Sequence, residues 1–153
     1  MVAGVVHLPA RKTTYAAQAG GPATRNGQPM QPRDHGIDGA TVLASKAALN
    51  PALWREGSAP PVRREFCPSL AWRLCLAAEG RFNAALSLRP AWEWDIAAAS
   101  LIAERAGCIA TDRHGRAMRF NSPGATVDGL IVAAPRLHGE LLSALAPGQG
   151  GTS

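Results

Sequence analysis

The residues best suited to chemistry lie together in Trp92-Glu93-Trp94-Asp95-Ile96-Ala97-Ala98-Ala99. Their spacing places Asp95 in the first turn of a helix, where unbonded backbone N–H groups and the helix dipole favour negative charge. Three alanines follow, so a ligand can approach the backbone there without meeting a large side chain. A phosphate suits such a helix end, and a carboxylate beside it suits a hard cation such as Mg2+. Together they fit metal-assisted hydrolysis of a phosphate ester. The same spacing also fits an ordinary helix cap, since an Asp in the first turn can accept from those N–H groups. Other candidates are weaker. His7, His35, His114 and His138 are dispersed without metal-ligand spacing, and no Gly-x-Ser-x-Gly occurs. Trp54, Trp72, Trp92 and Trp94 read as core or helix-packing residues, not as stacking platforms.

The elements around this segment follow from pattern. Residues 93–106 read as a long helix stopped by Gly107 at its C-cap. Residues 69–79 read as a second helix, with Leu70, Leu74 and Ala77 on one face, Ser69 at the cap and Gly80 at the end. Residues 1–9 and 13–18 form a hairpin pair, and Asn26-Gly27 suits a further two-residue hairpin turn. Buried strands are expected over 40–44 and 129–133 and further strands over 62–67, 83–88 and 108–111, with a short helix or turn after Asn50-Pro51 and an extension over 118–121. A final amphipathic helix covers 137–145, and 147–153 is a flexible tail. Strands first, then alternating helices and strands, imply a layered α/β sandwich with a mixed sheet flanked by helices, one domain over 1–146. Its first residues already belong to a strand, so the N-terminus looks cut.

Composition bounds the rest. At 153 residues and 46% hydrophobic, the chain is long enough to bury roughly 70% of its unfolded surface and too apolar to be extended and disordered. No stretch approaches the roughly 20 apolar residues of a membrane helix, and no secretory signal is readable at the start. Cys67, Cys75 and Cys108 are odd in number and widely spaced, which implies buried, reduced thiols in a cytoplasmic protein and neither a disulfide framework nor a zinc site. The formal charge is +5, but the arginines are scattered, with Arg63-Arg64 the only doublet, and aromatic residues are 5%. Nucleic-acid binders cluster basic residues and interleave aromatics, so no specific nucleic-acid partner is expected.

The whole stretch WEWDIAAASLIAERAGCIATDRHGRAMRFN resembles the C-terminal signature of the inositol monophosphatase superfamily, a Trp-Asp-x-Ala-Ala-Gly helix running into Glu-Ala-Gly-Gly and a Thr-Asp-x-x-Gly turn. GVVHLPARKTTYAAQAGGPATRNGQPM and PSLAWRLCLAAEGRFNAAL match the family's earlier double strand and its helix-and-strand in order. The resemblance covers residues 4 to about 145. It implies the C-terminal half of the inositol monophosphatase-like fold and a Mg2+-dependent phosphomonoesterase acting on a small phosphorylated metabolite. By it, Asp95 is a metal-binding aspartate and Ser69 the substrate-side residue of a Gly-Ser/Thr pair, although a plain N-cap serves Ser69 equally well. LSLRPAWEWD is most similar to bacterial 3′(2′),5′-bisphosphate nucleotidases, which act on 3′-phosphoadenosine 5′-phosphate. Leu86-Ser87-Leu88-Arg89 lacks the carboxylate by which inositol-specific members bind the sugar, and Arg89 could face a second phosphate or stand as a solvated surface arginine.

This sequence departs from the family in ways that matter. The Glu-Glu pair and the Asp-Pro-x-Asp-Gly-Thr loop, which in the family hold most of the metal and activate water, are absent. Asp34-His35-Gly36-Ile37-Asp38-Gly39-Ala40-Thr41 imitates that loop, but it follows the Arg25-Asn26-Gly27 hairpin, lacks the Pro and carries an extra Ala. It reads as a coincidental turn. Pro68 replaces the Gly before Ser69, Asn83 a common Asp, and Ala99 the motif's Gly. Two readings of the chain follow: a phosphatase, or a catalytically incomplete remnant that only folds or docks. A missing N-terminal layer would expose an apolar sheet face, so association, as a homo-oligomer or with a separate N-terminal half, is expected.

Overall fold

The computed structural model describes residues 1–147; the expected tail lies almost wholly outside them. Strands β1 (Ala3–Leu8) and β2 (Thr13–Gln18) pair antiparallel in the register Ala3↔Gln18 to Leu8↔Thr13. A 3-10 turn, Pro9–Arg11, closes the hairpin. Two-residue strands β3 (Thr24–Arg25) and β4 (Gln28–Pro29) extend this into a four-stranded meander, with Asn26 and Gly27 both at positive φ as the Asn-Gly turn requires.

A second sheet forms the centre. Its strands are β5 (Thr41–Ala44), β6 (Arg63–Glu65), β7 (Ala84–Ser87), β9 (Ile109–Thr111) and β11 (Leu130–Ala133), in the order β6-β5-β7-β11-β9. β5 runs parallel to β6 and β7, while β11 runs antiparallel to β7 and β9. Helices α1 (Leu70–Ala78) and α2 (Glu93–Ala106) lie between this sheet and the meander, and α3 (Pro135–Ala144) covers the far face. The layered α/β reading therefore holds.

Alternation along the strands explains the two cores. Ala85, Leu130 and Val132 face α1 and α2, where they meet Leu74, Ala77, Ile96, Ile102 and, from the meander, Tyr15. Leu86, Ile131 and Ala133 face α3 and pack on Leu137, Leu141 and Trp54. Strands buried on both faces must be apolar at every position, which is why Leu130–Ala133 and Ala84–Leu86 read as unbroken runs. Small residues let the layers close: a Cβ added to Gly4 on β1 would lie 2.8 Å from the Ala98 carbonyl oxygen of α2. The helix bounds differ from expectation by at most two residues. The expected extension over 118–121 is irregular, preceded by a bridge from Thr111 to Ala117 and held at its end by the Asn121 N–H donating to Glu93. A two-stranded ribbon, β8 (Ala91–Trp92) with β10 (Thr126–Val127), had no clear signal in the sequence. No helix is long and apolar enough to cross a membrane among the described residues. All three cysteines are free and buried, and burial pushes the thiols of Cys75 and Cys108 up to about 12, leaving them unreactive.

Candidate active site

Topology brings the expected site residues to one edge of the central sheet. Because β5, β6 and β7 are mutually parallel, the segments that follow them leave on the same side. Ser69 lies in the segment after β6, and Arg89 and Asp95 in the segment after β7. β9 also points this way, since β11 is antiparallel to both β7 and β9, so the Asp112-Arg113-His114-Gly115 turn joins the same edge. Crevices beyond the carboxyl ends of parallel strands are where ligands bind in open α/β sheets.

Each expected residue has a defined setting. Asp95 is exposed in the first turn of α2. It does not cap the helix: the N-cap is Trp92, with no side-chain cap bond. The capping alternative for Asp95 is thus corrected, and its carboxylate is absent from the three salt bridges among the described residues. Ser69 is the N-cap of α1, its Oγ accepting from the Trp72 N–H at 3.3 Å. Arg89 is exposed. The alanines after Asp95 serve packing as well as access, since Ala98 carries Gly4 and Ala99 is fully buried.

Residues that the sequence reading passed over hold this edge in place. Glu93 is buried, 7% exposed, and its carboxylate accepts from the Asn121 N–H at 2.6 Å, the Ser122 N–H at 3.1 Å and the Ser122 hydroxyl. The hydrogen bond from the Ser122 hydroxyl, joined by the two backbone bonds, outweighs burial and holds the Glu93 carboxyl below the usual carboxylate range. Arg113 donates from Nη1 to the Leu88 carbonyl at 2.9 Å, steadying the turn before Arg89. Buried Arg73 donates to the Cys67 carbonyl and stacks over Phe66 at 4.8 Å, which fixes the loop ahead of Ser69. Such buried charges leave only a faint sequence signal, a charge amid an apolar helix.

The tryptophans divide. Trp54 is buried and Trp72 half-buried, as packing residues should be. Trp92 and Trp94 are 50% and 67% exposed and stack on each other, 4.7 Å between centroids and 9° from parallel. The core reading of these two is corrected: with Glu93 turned inward between them, both neighbours must turn outward. A cavity of about 300 Å³ beside Asp95 is lined by Trp94, Ala97, Phe120 and Ser122. A larger cavity, about 640 Å³, lies on the α3 flank between Arg55 and Glu140. The smaller one adjoins the first turns of α2 and the 120–125 loop.

The Asp34–Thr41 imitation lies elsewhere. Asp38 precedes β5, at the opposite end of the strands from Asp95. Its turn is closed by Ala40 N–H to Ile37 O at 3.2 Å and Gly39 N–H to Pro61 O at 2.8 Å. Among the described residues no three His, Cys, Asp or Glu side chains converge on a metal-sized point. Mg2+ takes octahedral oxygen coordination, and one carboxylate does not supply it. The described residues alone therefore do not fit the metal site that the family resemblance implies.

Comparison with known proteins agrees with the fold. The staphylococcal inositol monophosphatase II from Staphylococcus aureus MSSA476 superposes with a TM-score of 0.78 at 20% identity, covering 93% of this chain and 53% of that one. The extragenic suppressor protein suhB from Bartonella henselae gives 0.76 at 21%, covering 96% and 57%. An inositol monophosphatase from Anabaena (Nostoc) sp. PCC 7120 gives 0.76 at 19%, covering 93% and 57%. The chain thus spans little more than half the length of these solved structures. No curated protein gave a significant match. The model of the inositol monophosphatase family matches residues 1–149. This chain belongs to the inositol monophosphatase family.

Proposed function

We propose that this chain carries the substrate-side part of a Mg2+-dependent phosphomonoesterase, acting in the cytoplasm on a small phosphorylated metabolite and not on nucleic acid. The supporting observation is the exposed carboxylate of Asp95 in the first turn of α2, set at the strand-end crevice of a chain in this family. There Asp95 is one ligand among several, and the remaining carboxylates come from outside the described residues. Ser69 and Arg89 border the same edge, as contacts for substrate phosphate. The first substrate is 3′-phosphoadenosine 5′-phosphate, because the segment from Leu86 to Arg89 offers a cation and no carboxylate for a sugar hydroxyl. An inositol monophosphate is the second. Solved relatives include a staphylococcal enzyme described with inositol monophosphate bound and with 2′-AMP bound, so both ligand chemistries occur on this fold.

A second reading is favoured by the lone carboxylate: the isolated chain folds but turns little over. Mg2+-dependent phosphate release from 3′-phosphoadenosine 5′-phosphate and from inositol 1-phosphate separates the two. The phosphatase reading expects weak release that prefers the nucleotide and falls to background in Asp95→Asn. Release unaffected by Asp95→Asn removes the site assignment, and faster release from inositol 1-phosphate reverses the substrate order. Background rates from a folded sample establish the second reading.

A further inference from the structure

The two ends of the helix layer carry different chemistry. Ser69 and Asp95 lie where α1 and α2 begin. At the opposite end the helices stop on Gly80 and Gly107, both at positive φ, and the segment from Gln31 to Arg33 lies across these stops. A Cβ on Gly80 would come to 3.1 Å from the Arg33 nitrogen and the Gln31 carbonyl oxygen, and one on Gly107 to 3.6 Å from Pro32. Because neither glycine has a side chain, the segment closes on the helix ends and sets Arg33 beside Arg81. Arg25 reaches the same place from the meander. It pairs with Tyr15 across β2 and β3, so both side chains take the face turned to the helices, where Tyr15 is 1% exposed.

Together they form a cavity of about 440 Å³ lined by Arg25, Arg33, Glu79, Gly80 and Arg81. Asp34, next to Arg33 in sequence, does not line it, so three cations meet a single acid. That acid is already engaged. Glu79 accepts from the Tyr15 hydroxyl at 3.1 Å through Oε1 and from Arg25 Nε at 3.0 Å through Oε2. Burial, and then the Glu79 charge, push the Tyr15 phenol up to about 12, so it stays protonated and keeps donating. Arg33 and Arg81 are exposed and enter none of the salt bridges among the described residues. The last carbonyls of α1 are taken as well, Ala77 by the Gly80 N–H and Leu76 by the N–H groups of Arg81 and Phe82. This blunts the negative end of the helix dipole, which amounts to about half a charge and does not cancel the surplus of guanidiniums.

We propose that this cavity binds a phosphate dianion, free or carried on a small metabolite, at a site separate from the Asp95 edge. The charges balance: three arginines against Glu79 leave a surplus of two, which a phosphate dianion neutralises. A guanidinium presents pairs of N–H donors in one plane that match two phosphate oxygens at once, and no acid holds those of Arg33 and Arg81. Glu79 serves as the anchor. It fixes Arg25 against the helix end, while the two exposed arginines close on the anion. Without an anion the three cations repel one another across a single carboxylate. α1 is nine residues, so the cavity stands about 14 Å from Ser69, too far for the two to share one phosphate. The inference is independent of the phosphatase reading, since it uses no residue of the Asp95 edge.

The test is amide NMR on the full chain, with EDTA present to keep metal off Asp95. The sample is titrated with inorganic phosphate and, separately, with glycerol 3-phosphate, against sodium chloride at matched ionic strength. Phosphate is expected to shift the amides of Arg33, Gly80 and Arg81 with half-saturation at about 1 mM or below, and chloride is not. Arg33→Gln and Arg81→Gln each weaken this binding by about tenfold or more, while Arg89→Gln leaves it unchanged. The two probes separate the sources of the anion. Equal or tighter binding of the ester means that the site takes a phosphorylated metabolite, and binding of inorganic phosphate alone means that it takes the free ion. Amides of Arg33, Gly80 and Arg81 that stay in place in a folded sample, or that chloride moves equally, overturn the proposal and leave solvated arginines only. Shifts at these amides that survive Arg33→Gln and Arg81→Gln made together also overturn it, in favour of another surface.

Discussion

The two ends of the parallel strands are built on similar parts and differ in what those parts hold. At each end an exposed aspartate sits near small residues, and a helix glutamate accepts backbone N–H groups from a neighbouring loop. At the Asp95 end, Glu93 is buried and takes three hydrogen bonds from Asn121 and Ser122. At the Asp38 end, Glu140 is part-exposed; it accepts from the Ile37 N–H at 2.5 Å and from Arg136 at 3.2 Å within its own helix. One end is held from inside the fold and the other from its surface. A polar group buried with all its partners specifies a single arrangement, which a binding site needs and a connecting turn does not.

Exchanging the aspartates gives the largest effect. Asp95→Asn should lower Mg2+-dependent phosphate release by about a hundredfold or more, the scale on which loss of a charged site group is felt. Asp38→Asn should leave it within about twofold. Equal losses from both would mean that the two ends are not functionally distinct. Next comes Glu93→Gln, which keeps the shape but weakens the anchoring of Asn121 and Ser122. It should lower the melting temperature more than Glu140→Gln does. It should also reduce acid sensitivity: the native Glu93 carboxyl lies below its unfolded value near 4.3, so its contribution is present above that pH and is lost as pH falls through the native value.

His138 on α3 gives a smaller and separate pH effect. Its Nε2 lies 2.8 Å from the Thr111 hydroxyl, whose proton is directed to the Asp112 carbonyl, so the ring donates there. Burial lowers its pKa. Protons then bind the unfolded chain first, and stability should decline as pH falls below about 6.5. Chemical denaturation at pH 7.5 and 5.5 reads this, and His138→Gln should flatten the difference. Smallest is Glu140→Ala, which should cost about 1 kcal/mol in urea unfolding without changing phosphate release.

Much of this molecule could be read in advance. The α2 range of 93–106 was closed by its Gly107 C-cap, and 13–18 followed from a short connection to the β-branched run before it. Both rest on interactions within a few residues. Ser69 was legible as an N-cap for the same reason. The β8–β10 ribbon was not, because two-residue strands carry no period and are defined only by a partner some 30 residues away. Trp92 and Trp94 were misjudged because residue type favours burial, whereas the inward turn of Glu93 decided their side.

The amino-acid order by itself determined the layered α/β class, the helices with their ends, the family, and Asp95 as the residue to watch. Those depend on local hydrogen bonding, hydrophobic period and motif order, all contained in one dimension. Only the tertiary structure decided which aspartate lies beyond the carboxyl ends of the parallel strands and which glutamate holds the neighbouring 121–122 loop. Each of those depends on strand direction and register, and the energy that sets them comes from groups brought together across the fold.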